Sequence, residues 1–215
     1  MKFHTAIVVL VMILGTSCGH FNGQQSQAGA AEFKMGGKMD EVEFWNIVSY
    51  ANSIGRGNSK LQELIITRIL SGYQPDQIIE FELILRRKLI QANDFKILAA
   101  DRIIDGPLTD DTYLYFRCWL IGLGEKTFTE TMKDPDYLAD VIEKRVEPDF
   151  EGLLYVSTTA YQNRTGKKTE DDSFPQNVAF DKGLDYDANS PKTTGQEWKE
   201  KDLPKLYPKL WAKFN

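Results

Sequence analysis

From Asp40 to Gly166 apolar residues recur at helical spacing, and nowhere does a stretch of strand length alternate at period two. That pattern restricts the chain to helices packed on helices. The start signals are explicit. Asp40 and Glu43 form a capping-box pair ahead of Phe44, Ile47, Val48 and Ala51, which predicts a helix ending near Ser53, before Gly55-Arg56-Gly57. Ser59 with Gln62 predicts a second cap, with Leu61, Leu64, Ile65 and Ile69 as the stripe and Gly72 as the stop. Pro75 and Asp76 open a third helix through Ile78, Phe81, Leu85, Leu89 and Ala92, broken by Asn93 and Asp94. A fourth, from about Phe95 to Ile104, is stopped by Gly106-Pro107.

Thr109 caps a fifth helix of a different kind. In TYLYFRCWLIGLG, Thr112 to Gly124, apolar residues lie all around the wheel, which marks a helix buried on most sides and therefore the central element. Shorter helices are expected over Glu125–Lys133, from Pro135 to about Ile142 with Asp134 as cap, and from Phe150 to Arg164. After Gly166 a long polar and aromatic stretch shows no periodicity and is expected to be irregular. Leu206, Leu210 and Phe214 then recur every four residues beside Lys205, Lys209 and Lys213, a short terminal helix docked on the body with a solvated lysine face. The expectation is one all-α domain over residues 39–215 with seven to eight helices, a long irregular C-terminal segment and a short terminal helix.

The amino terminus reads differently. Lys2 precedes the apolar run Ala6 to Leu14 and then Gly15-Thr16-Ser17-Cys18. Nine apolar residues are too few for a bilayer span, which needs about 20, but they suit a signal peptide over residues 1–17. Cys18 follows small residues as the acylated cysteine of a bacterial lipoprotein does. Residues 18–38, glycine-rich and poor in aliphatic side chains, then read as a lipidated cysteine and flexible tether, reaching about 60 Å at roughly 3.3 Å per residue. This predicts a bacterial envelope protein facing the periplasm or the surface, with the membrane as partner through its lipid.

Composition removes whole function classes. The two histidines stand at positions 4 and 20, so the helical body has none, which excludes histidine-based nucleophilic catalysis and histidine-rich zinc sites there. Without residues 1–17 the chain carries 25 basic and 31 acidic side chains, a net of −6 that disfavours nucleic acid as a partner. Asp185, Asp187 and Asn189 have the spacing that opens a calcium loop, but Gln196 stands where the closing glutamate belongs. No metal and no cofactor is expected.

Four segments together resemble one family: DEVEFW, GPLTDDTYLYFRCWLIGLGEKTF, GLLYVSTTAYQNRTG and GQEWKEKDLPKLYPKLWAKF. They are similar to the bacterial domain-of-unknown-function family numbered 4240, over about residues 40 to 214. The resemblance implies a mostly helical fold that includes the terminal segment, and it implies no activity, substrate or cofactor.

Arg117 is the most informative single residue. On so apolar a helix its guanidinium must be at least partly buried, and a buried charge calls for a carboxylate, with Glu80, Glu82, Asp101 and Asp105 as candidates. The bland reading is a structural ion pair; the sharper one is an anion or carboxylate site built by Arg117 with Tyr115 and Trp119 at a cleft. Asp110 and Asp111 suit the first turn of the helix, where they offset its dipole, and are also candidate binding residues. Cys118 reads as a small buried hydrophobe. With no catalytic constellation, the preferred function is a non-catalytic binding or interaction module with a protein partner, in one version a periplasmic protein that neutralises an incoming effector. The alternative is a histidine-independent hydrolase using Asp, Glu and Arg.

Overall fold

A computed structural model describes residues 33–186 and 191–215, with Lys38–Asn215 as one compact unit and Met1–Gly37 belonging to another. Cys18, the leader and most of the tether lie outside the described residues, as do Asp187 and Asn189. Among the described residues there are eleven α-helices, three short 3-10 turns and no strand. No helix among them is long and apolar enough to cross a membrane.

Helix α1, Glu41–Gly55, starts where Asp40 accepts a hydrogen bond from the Glu43 amide and buries Phe44, Trp45, Ile47, Val48 and Ala51. It runs two residues past the expected end because Arg56 itself takes the left-handed terminating conformation, φ 47°. Helix α2, Ser59–Leu70, is capped by Asn58 accepting from the Leu61 amide, one residue earlier than expected. The Ser59 hydroxyl is instead engaged far along the chain, donating to the Asp149 carbonyl. Helix α3, Pro75–Gln91, begins with the proline at its first position and a Gln74–Gln77 capping box. Asp94 both follows α3 and caps α4, Phe95–Ile104.

Helix α5, Asp110–Gly122, has Thr109 as its cap and buries Tyr113 and the whole run Phe116–Gly122. It touches α1, α2, α3, α4 and α6, Glu125–Lys133, which makes it the central element as its all-round apolar sequence required. A 3-10 turn, Pro135–Tyr137, leads into α7, Leu138–Val141, and a second, Glu151–Tyr155, leads into α8, Val156–Thr165, ended by left-handed Gly166.

The C-terminal segment corrects the sequence expectation twice. It contains a helix, α9, Pro175–Asp181, opened by a first-position proline as α3 is and packed on α3 and α8. The terminal helix is also divided: α10, Leu203–Leu206, and α11, Pro208–Phe214, meet at Pro208, which lacks the amide needed to continue the first. Leu203 and Leu210 therefore form the buried face, and Leu206 is 51% exposed. Lys205 and Lys209 are exposed as expected, while Lys213 is half-buried. Lys209 pairs with Asp140, and Lys213 donates to the carbonyls of Ala139 and Ile142. Asp136 accepts from the amides of Lys209 and Leu210, so a carboxylate from another part of the chain caps α11.

Candidate functional site

The predicted site residues lie on two faces of α5. Residues two apart on a helix point in different directions, whereas those four apart share a face. Tyr113 and Arg117 accordingly form one pair and Tyr115 and Trp119 another, so the structure does not bring Arg117, Tyr115 and Trp119 to one cleft.

The Tyr113–Arg117 face is sealed against the end of α3. Arg117 is 5% exposed, donates through Nη1 to the Leu89 carbonyl at 3.1 Å, and lies 4.7 Å over the Tyr113 ring. The Tyr113 hydroxyl sits 3.0 Å from the Ala92 carbonyl, to which it donates, and accepts from the Asp94 amide at 3.1 Å. The last carbonyls of a helix have no partner within it, and the amide of Asn93 turns to Ile90 rather than Leu89. One face of α5 thus closes the carboxyl end of α3, where a cation is favoured by the helix dipole.

This corrects the expectation that a carboxylate must meet Arg117. Glu80 pairs with Arg87 and Glu82 with Arg86 at 2.7 Å, while Asp105 is exposed. Asp101 is near enough to interact electrostatically but forms no ion pair with the guanidinium. It is 0% exposed, and neither of its carboxyl oxygens has a hydrogen-bond partner; the Arg117 Nε likewise has none. Burial, with Asp105 adding to it, pushes the Asp101 carboxyl up to about 8 against the pull of Arg117. Burial also lowers the guanidinium from its ordinary range, which still leaves it charged at neutral pH.

A second buried pair lies beside α9. Arg86 reaches the Leu184 carbonyl as well as Glu82 and stacks 4.7 Å from the Tyr186 ring. Burial raises Glu82, and Arg86 opposes that shift. Ser157 also favours the charged form, although its hydroxyl makes no hydrogen bond within normal distance. Cys118, fully buried and free, has its thiol pushed up by burial, so it packs as a small hydrophobe.

The Tyr115–Trp119 face borders an open groove of about 1130 Å³. One wall is the end of α1 and the turn into α2, Asn52 to Glu63; the other is the segment Val141 to Gly152. Trp119, Leu123 and Phe150 line its base. The second wall packs closely where side chains are absent: a Cβ on Gly122 of α5 would meet the Phe150 ring at 2.7 Å, and one on Gly152 would meet the Glu63 carboxylate of the first wall at 2.1 Å. Tyr115 is half-buried beside it. Its phenol is raised by desolvation and then by Glu151, Asp111 and Asp149. Asp110 and Asp111 are exposed in the first turn of α5, as their dipole role requires, and do not line the groove.

The sequence reading missed Arg56, Glu143, Arg145 and Glu147, all exposed groove residues. The available signal was the charged, aperiodic stretch EKRVEPD between two apolar segments, the form a surface loop carrying function takes. Among the described residues, no group of three or more candidate ligands is arranged to hold a metal ion.

An all-α unit with a sealed polar face and an open groove on its central helix is the class of protein these features define. The family described as "Protein of unknown function (DUF4240)" matches residues 39–163, and the chain belongs to it. The matched region runs from α1 into α8 and holds every groove residue, but ends before the C-terminal segment. No curated protein and no solved structure matches the chain.

Proposed function

We propose that the protein is a non-catalytic interaction module, held at a bacterial membrane by an acylated Cys18, whose groove beside Trp119 receives a protein partner. The groove carries this reading: it is open, and exposed Val141 and half-buried Leu123 give it apolar surface within charged rims, the arrangement of partner sites. A hydrolase built on Asp, Glu and Arg is less well supported. Among the described residues the carboxyls that burial raises, Glu82 and Asp101, are the ones suited to hold a proton for general-acid work, and both are sealed away from the groove. The leader and Cys18 support the anchor, and the acidic balance supports a lipid rather than electrostatic attachment.

A photo-crosslinking residue at Val141, 45% exposed on the groove wall, tests the partner site against the same residue at Phe180, 63% exposed and outside it. A partner captured only from Val141, and binding the purified protein, supports the reading. Equal capture from both positions, or turnover of a small substrate lost on groove substitution, refutes it. For the anchor, wild type and Cys18→Ala pelleting equally with membranes would be the contrary result.

A further inference from the structure

We propose that the groove takes an extended segment of a partner protein bearing lysine or arginine, an inference that rests on the groove being the partner site. Its charges are sorted by wall. On the α1–α2 side Lys60 and Glu63 lie 3.3 Å apart and offset one another, leaving Arg56. On the opposite side Glu143, Glu147, Asp149 and Glu151 face a single opposing charge, Arg145. Glu143, Arg145 and Glu147 are exposed, and no ion pair among the described residues uses them.

The carboxylates come from one short stretch of chain, and among the described residues no three are grouped to hold a metal ion, so they suit a row of cationic side chains better than one ion. Between the walls the apolar surface is offered by exposed Val141 and half-buried Leu123, above the covered side chains of Trp119, Ile142 and Phe150. Apolar side chains of the segment meet that surface, and lysine or arginine stems cover it while their heads reach the acidic wall. A net charge of −5 over the chain draws the same class of partner from a distance.

The test uses the full chain and two labelled synthetic peptides of one length, a lysine-leucine-glycine repeat and its glutamate counterpart, read by anisotropy. The lysine peptide is expected to bind and to weaken as salt rises. Glu143→Lys combined with Glu147→Lys should weaken it by about tenfold or more. Glu170→Lys with Asp172→Lys makes the same charge change at exposed positions outside the groove and should leave binding within about twofold. Equal weakening by both double variants would mean attraction to net charge and would overturn the proposal. If the glutamate peptide binds better and is lost in Arg56→Glu with Arg145→Glu, the groove stands but the cationic class falls. If no groove substitution alters either peptide, both fall. Unchanged melting temperatures of the exposed variants keep these outcomes apart from misfolding.

Discussion

The two faces of α5 differ in what water can reach. Tyr113 and Arg117 spend their polar atoms closing the end of α3, with the guanidinium almost wholly covered. Trp119, two residues along, is equally buried but borders a groove whose rims are exposed charges. The first face is polar chemistry absorbed by the fold, and the second is a covered floor beneath rims that water reaches. A buried arginine is therefore a poor guide to a binding site here, because the helix end that it satisfies accounts for its charge.

The sharpest way to break this contrast is Arg117→Ala. Losing a buried charge-assisted hydrogen bond, the packing over Tyr113 and a helix-end partner should cost about 3 to 5 kcal/mol by denaturant unfolding. Arg117→Met should cost less because it keeps the volume. Unaltered stability in the alanine variant, with partner binding lost, would move Arg117 to the functional face.

Asp101 gives the next effect, through pH. Its folded carboxyl, pushed up to about 8 by burial, holds a proton that the unfolded chain releases near the ordinary range. The folded state thus binds more protons over that interval, and stability should fall as pH rises from about 4 to about 8 and level off above it. The limiting slope is about 1.4 kcal/mol per pH unit. The pull of Arg117 is already contained in that value, and access of water should keep the total loss below the roughly 5 kcal/mol that the full interval would give. Asp101→Asn should remove this contribution, so a pH–stability profile identical to wild type would show that the carboxyl is not sealed.

On the open face, Val141→Asp should change stability by no more than about 0.5 kcal/mol while abolishing partner capture. Loss of folding instead would make that wall part of the core. The smallest effect is expected at Arg56. Alone among the described non-glycine residues it has a positive φ, and a glycine there relieves about 1 kcal/mol of strain. Its charge near the end of α1 offsets part of that. Arg56→Gly should therefore be neutral to slightly more stable, and a clear loss in thermal unfolding would assign Arg56 to stability rather than to the groove.

How much could be read in advance follows from the range of each interaction. The caps Asp40 and Thr109, the first-position Pro75 and the left-handed Gly166 act within four residues of themselves, and each marks the boundary that its side chain or backbone dictates. The burial of α5 was legible for the same reason, since an apolar wheel has no solvent face to offer. Membership of the family was legible in segments such as DEVEFW and GPLTDDTYLYFRCWLIGLGEKTF, which lie within the matched residues.

Other outcomes depended on contacts made across the chain. Arg117 meets a carbonyl 28 residues away instead of an acid, and Asp136 caps a helix more than 70 residues on. Lys213 grips Ala139 and Ile142 at the start of the groove wall. Local pattern determined which segments are helical and which faces are apolar. Only packing decided which carbonyl each buried cation satisfies and how the two groove walls meet, because those depend on the distances between helices that periodicity does not encode.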